Sequence, residues 1–250
     1  MTAQPRSFYS FDDYLEGERA AERECRDERH EYVDGEVFAV TGASWEHNLI
    51  TANFTGELHA RLKGRPCFVL SNDMRVRVES ANTGTYPDVA VLCGEPSFYD
   101  DRRDTVTNPT LLVEVLSPSS EGYDRGGKFA AYRQLPSLRQ YVLVAQDRIA
   151  VDVLTREPDQ RWVLTAYDAL DQTLVLDAID CAVPLADIYA KVELHRGEDC
   201  AHPHHKPQAI ARTAGFPCRT PRIWLSLRAC SGTVPASARR CSSVGRATHS

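Results

Sequence analysis

The sequence predicts an α/β (α+β) fold: one mixed β-sheet flanked by helices, with extra antiparallel strands towards its C-terminal end. Three observations lead there. Helical and strand periodicities alternate along residues 8–194 without a regular βαβ repeat. The runs Val89 to Leu92 and Leu111 to Leu116 are apolar at successive positions, the pattern of central strands covered on both sides. No apolar run approaches the ~18 residues that a membrane-crossing helix requires.

Ser10 with Asp13 makes a capping-box-like start, and Phe11, Tyr14 and Leu15 give the short helix that follows one apolar face. Residues 31–40 predict a hairpin, because Asp34-Gly35 supplies the positive φ angles of a tight two-residue turn. From Ser44 to Leu62, Leu49, Ile50, Phe54, Leu58 and Leu62 recur at helical spacing, and Gly64 stands where a C-terminal cap belongs. Strands follow at Cys67 to Leu70, Met74 to Val78, Pro87 to Leu92 and Leu111 to Leu116. Ser117-Pro118-Ser119-Ser120 breaks the last of these, and a helical pattern resumes from Asp124 to Gln134 through Phe129, Ala130 and Tyr132. Gln140 to Val144, Ile149 to Leu154, Trp162 to Ala166 and Thr173 to Leu176 predict the remaining strands.

The formal charge of −6 is a cancellation. Residues 1–195 carry a net −13, whereas residues 196–250 hold nine Lys and Arg against Glu198 and Asp199. That divides the chain into a domain over 8–194 and a basic tail over 195–250 with four of the eight cysteines and no sustained periodicity. Cys200, His202, His204 and His205 have the residue types of a zinc site but lack a second ligand pair, so no metal is expected there. Residues 240–248 look like the conceptual translation of a transfer-RNA gene. The tail is therefore expected to be disordered and without function, a reading frame run past its ancestral stop. The N-terminus lacks the basic start and apolar stretch of a secretory leader, so a cytoplasmic address is expected, with the cysteines as reduced thiols.

Two acids interrupt the apolar strands. An ionised carboxylate buried alone costs several kcal/mol, so Asp88 and Glu114 must be neutralised, ion-paired or bound to a cation. Asp88 follows Pro87, which marks a strand start or edge. Glu114 has no partner near in sequence, and Lys128, early in the next helix, could turn back over the end of its strand. Two carboxylates and an ammonium meeting there would form a divalent-cation site beside a cation able to steady an anionic transition state. Structural ion pairs, an exposed strand face and a solvated lysine are the plainer alternatives.

Pro87-Asp88 with Glu114-Val115-Leu116 26 residues on resembles the PD-(D/E)XK nuclease superfamily. More specifically, Tyr86-Pro87-Asp88-Val89-Ala90-Val91 and Val113 to Ser119, followed by Asp124, Lys128 and Tyr132, look like the Uma-type restriction-endonuclease-like family. The hairpin at Glu31 to Glu36 and the helix near His47 match that family's layout, over roughly residues 8–192. The resemblance implies a restriction-endonuclease-like fold, metal ligation by Asp88 and Glu114, a third ligand in the Val115 carbonyl, and an upstream acid in Glu31. The superfamily's lysine would fall at Leu116, and Lys128 is its replacement. Asp124, Ser117 and Tyr132 match family positions that capping and packing also explain, and His47 and His30 are possible auxiliaries.

The resulting expectation is Mg2+-dependent hydrolysis of DNA phosphodiester bonds, with Mn2+ as a possible substitute, since carboxylate, carbonyl and water are hard oxygen ligands. A homodimer would favour cutting both strands. A charge of −13 opposes approach to a polyanion unless a local basic patch forms. Arg75 and Arg77 on one strand face, or Arg102, Arg103, Arg125, Lys128 and Arg133, could supply it, although solvated faces explain them as well. A nuclease-like module that only binds, and a metal-dependent hydrolase of another phosphoester, are the competing functions.

Overall fold

The computed structural model describes residues 8–24, 29–40 and 42–194. The basic tail, with its expected disorder and its Cys200, His202, His204 and His205, lies outside the described residues. Among the described residues thirteen strands form three sheets, and the largest is the expected mixed sheet flanked by helices. The first sheet has the order β2-β1-β5-β4-β7, from β1 (His30–Val33), β2 (Glu36–Ala39), β4 (Arg75–Val78), β5 (Thr83–Thr85) and β7 (Thr105–Val106). The second has the order β11-β10-β9-β8-β6-β3, from β3 (Cys67–Ser71), β6 (Val89–Cys93), β8 (Leu111–Leu116), β9 (Gln140–Ala145), β10 (Val151–Arg156) and β11 (Trp162–Tyr167). It is mixed: β8 and β9 run parallel, while β9, β10 and β11 form the expected antiparallel C-terminal extension. Strands β12 (Thr173–Leu176) and β13 (Cys181–Pro184) pair as a separate hairpin.

The helices start and stop for local reasons. In α1 (Phe11–Arg23) the Asp13 N–H donates to Ser10 Oγ and the Ser10 N–H to Asp13, the reciprocal cap read from the sequence. This helix runs longer than expected. In α2 (Trp45–Leu62) Ser44 caps the His47 N–H, Ile50, Phe54, Leu58 and Leu62 form the buried stripe, and Gly64 takes φ +81° just beyond the end. Asp34 and Gly35, at φ 47° and 90°, make the tight turn of the β1–β2 hairpin.

The helix expected from Asp124 begins earlier and is interrupted. After α3 (Glu121–Tyr123) comes one π-helical turn over Asp124–Lys128, then α4 (Phe129–Tyr132). Such turns are rare and gather at functional sites. Gly127 is required there, because a Cβ would stand 2.6 Å from the Tyr123 ring. A last short helix, α5 (Leu185–Ile188), packs with α2 over one face of the second sheet.

The central strands β6, β8 and β9 bury both faces. Val89, Val91, Leu111, Val113, Val115, Val142 and Val144 face α2 and α5, and Ala90, Leu92, Leu112, Leu116, Tyr141 and Leu143 face Tyr132, Leu135 and β4. Glu114 belongs by alternation to this second face, in the middle of a core.

Two expectations are corrected. Cys67 and Cys93 are joined by a disulfide rather than kept as thiols, because the β3–β6 register sets them directly opposite one another with Cα atoms 4.0 Å apart. Arg75 and Arg77 form no solvated or DNA-facing patch, since the aromatic side of α1 covers that face of β4. Arg75 is enclosed beneath Tyr14 and Tyr86, donates to Tyr86 Oη at 3.0 Å and to Thr105 Oγ1, and Arg77 lies 3.8 Å from the Phe11 ring centre. Among the described residues no helix is long and apolar enough to cross a membrane.

Candidate active site

Strands β6 and β8 are antiparallel and their ladder ends at the pair Val89–Val113, so the next positions outward are Asp88 and Glu114. There the two chains part. The Asp88 carboxylate takes the place of a main-chain partner, its Oδ2 accepting the Val115 N–H at 2.7 Å. This explains an acid immediately after Pro87: the side chain caps the end of a ladder and faces an opening.

Glu114, opposite Asp88 on the second face of the sheet, is 3 % exposed. Its Oε1 accepts from Tyr132 Oη at 2.9 Å and from Lys128 Nζ at 3.2 Å, and Tyr132 Oη is held in turn by Thr85 Oγ1 at 2.8 Å. The π-helical turn keeps Asp124 and Lys128, four residues apart, both turned inward. Lys128 Nζ lies 3.1 Å from Glu31 Oε1 and 3.4 Å from Asp124 Oδ1, the latter outside hydrogen-bond geometry. Glu31 arrives from β1 of the first sheet, fixed by the Tyr86 N–H at 3.2 Å. His47, from the first turn of α2, sets its Nε2 3.2 Å from Asp88 Oδ2. Glu31, Asp88, Glu114, Lys128, His47, Ser117 and Asp124 thus line one cleft of about 360 Å³ at the junction of both sheets, α2 and the π turn.

Four carboxylates share this cleft with one ammonium, one guanidinium and one imidazole. Burial pushes the Glu114 carboxyl well above its usual range; Lys128 opposes this, and Asp124, Asp88 and Glu31 reinforce it. Burial favours the neutral amine at Lys128, but Glu114, Glu31 and Asp124 outweigh it and hold the ammonium charged well above the ordinary lysine range. Burial likewise works to lower His47, while Asp88, the Val115 backbone and Asp124 prevail and raise it.

Some expected members stand elsewhere. His30 donates its N–H to Glu18, whose other oxygen lies 2.8 Å from His30 Nδ1, and it does not line the cleft. Arg75, Arg77, Arg102, Arg103, Arg125 and Arg133 do not line it either. Arg125 pairs with Glu121 and Asp152, and Arg103 covers Phe98. Sequence reasoning missed Tyr86, whose amide positions Glu31, and Tyr123, Phe38, Arg29 and Gln146, which line the opening. Gly126-Gly127 inside a helical pattern was the one available sign of an irregular turn there.

Among the described residues no three His, Cys, Asp or Glu side chains are grouped closely enough to hold a metal ion by themselves. The donor set nevertheless fits Mg2+, which keeps several waters and takes only one or two carboxylates, in a cleft whose acids outnumber its cations.

Residues 11–186 match the model of the Uma2 family, described as "putative restriction endonuclease". Two proteins of Synechocystis sp. (strain ATCC 27184 / PCC 6803 / Kazusa) are similar. The uncharacterized protein slr1290 is 36 % identical over 180 residues, 71 % of this chain and 90 % of its own length. The uncharacterized protein sll1609 is 36 % identical over 153 residues, 61 % of this chain and 84 % of its own. The fold is similar to the crystal structure of a "putative nuclease belonging to DUF820" from Anabaena variabilis ATCC 29413, with a TM-score of 0.57 and 14 % identity over 72 % of this chain and 97 % of that one.

Proposed function

The chain belongs to the Uma2 family, and from that membership we propose that it is a Mg2+-dependent endonuclease that hydrolyses DNA phosphodiester bonds in this cleft. The observation that carries the reading is the meeting of Glu31, Glu114 and Asp124 on the Lys128 ammonium, beside an Asp88 carboxylate at a strand end. A structural ion pair would need one acid for one base, and it would not need a cleft.

Asp88 and Glu114 would hold the ion, with the Val115 carbonyl and water completing its shell. A divalent cation so held supplies charge for a non-bridging phosphoryl oxygen and acidifies water. The chain's own groups do the rest. Lys128, held among three acids, would face the negative charge that grows on the phosphoryl oxygens, and a fixed charge in a buried site is worth far more than one in solvent. Tyr132 orients the Glu114 carboxyl, Tyr86 orients Glu31, and His47 lies where a proton could be passed between Asp88 and the cleft. Mn2+ would serve in place of Mg2+ with the same ligands.

The test is nicking of supercoiled DNA by the full chain with Mg2+ or Mn2+. Asp88→Asn and Glu114→Gln are each expected to lower the rate at least ~100-fold while leaving the folded spectrum intact. Equal cleavage by wild type and both variants would remove the site from the reaction. No cleavage of any DNA by wild type would leave a nuclease-like binding module.

A further inference from the structure

The cleft has an aromatic mouth that hydrolysis does not account for. In the β1–β2 hairpin Phe38 is the direct cross-strand partner of Glu31, so both side chains lie on one face and the Phe38 ring borders the acid centre. It remains 49 % exposed. Tyr123 flanks the centre from the other side: Lys128 Nζ is 5.8 Å from its ring, and 38 % of the residue is open to solvent. Large exposed aromatics grouped around a polar cleft mark a binding surface rather than packing.

Charge and size narrow what binds. Among the described lining residues every Lys, Arg and His is already paired with acid: Arg29 with Asp73, Lys128 with Glu31, Glu114 and Asp124, and His47 with Asp88. Duplex DNA is gripped through its phosphates by unpaired Lys and Arg, which this cleft does not offer. Its volume of about 360 Å³ lies at the small end of small-molecule sites, and Glu114 and Lys128 are nearly enclosed at its floor. A phosphate inside a regular helix does not reach them. Aromatic faces add stacking on unpaired bases, a share of the binding that does not come from charge and that bases paired inside a helix do not offer.

We propose that the substrate of this cleft is single-stranded DNA, with bases stacked on Phe38 and Tyr123. This rests on the hydrolase reading above and adds to it the conformation of the DNA.

Binding and cutting are measured separately. Without divalent cation, fluorescence anisotropy follows the full chain binding a short fluorescein-labelled oligodeoxynucleotide, single-stranded or annealed to its complement. The single strand is expected to bind at least ~10-fold tighter than the duplex. Phe38→Ala and Tyr123→Ala should each weaken it about tenfold, and Phe38→Trp should retain it. Equal or tighter duplex binding, or alanine variants that bind as wild type does, would overturn the proposal. So would variants that alter only self-association in sedimentation, since the aromatic mouth would then be a contact between two copies. Repeating the pairings with Mg2+ separates the two readings: a preferred single strand that is held but never cut removes the hydrolase and leaves the stacking site. Cutting with no preference removes the stacking site and leaves the hydrolase.

Discussion

Lys128 shows what a single residue does here. A lysine in a short helix usually projects into solvent, yet this one is 7 % exposed and faces three carboxylates. Taking the ammonium away leaves those acids crowded in a poorly hydrated place. Lys128→Met is therefore expected to destabilise the fold by about 3 kcal/mol. Adding Glu114→Gln should return part of that loss, because the most enclosed carboxyl no longer needs a countercharge. The urea midpoints of the two single variants and the double variant measure the coupling, and strictly additive losses would show that the pair does not interact. All three variants should also lack nicking activity, so a double variant that regains stability without activity separates the residue's part in the fold from its part in the site.

At the scale of the element, α1 serves as the cover that turns β4 and β5 inward. Its Phe11 ring rests on Gly84, where a Cβ would lie 2.5 Å from the ring. The same ring stacks on Arg77 and meets Tyr32 and Tyr99 edge-on. Gly84→Ala is expected to lift this contact and cost about 1–3 kcal/mol, read as a lower urea midpoint. The far part of the helix is tied by Arg19, which donates to Asp104 at 2.7 Å and to Asp100. Burial acts to raise the Asp104 carboxyl, but Arg19, with help from Arg75, outweighs it and holds the pKa below the ordinary aspartate value. Because the folded value is the lower one, this stabilisation is complete above the unfolded aspartate range near pH 4 and disappears as pH falls through the depressed value. Arg19→Met should thus cost about 1 kcal/mol at pH 7, after allowance for solvent screening, and progressively less towards pH 2. A gap between the two proteins that stays constant over that range would rule the ion pair out as its source.

Among the described residues of the whole molecule, the buried apolar ones run from Phe11 to Tyr189, and the match to the Uma2 family runs from residue 11 to 186. Cutting the chain after residue 194 is expected to leave the urea midpoint and the slope of the transition unchanged, because the slope follows the surface exposed on unfolding. A lower midpoint would assign the basic segment a share of the fold. Within the domain, elements with a local cause were legible in the sequence: the Ser10 cap, the Asp34-Gly35 turn, the stripe of α2 and the doubly buried strands. Short β5, β7 and β13 were not, since two to four residues of polar or mixed character have no period and are held by neighbours distant in sequence. By itself the sequence determined that Asp88 and Glu114 could not sit in those strands without a partner, because burying a lone carboxylate is costly wherever it occurs. Only the tertiary structure decided who the partners are. The end of the β6–β8 ladder, a π turn, a hairpin from the other sheet and the first turn of α2 bring Lys128, Glu31, Asp124 and His47 to those acids. The same packing takes Arg75 and Arg77 out of reach of any ligand, because whether a charge meets solvent, a ring or an acid depends on which element covers it.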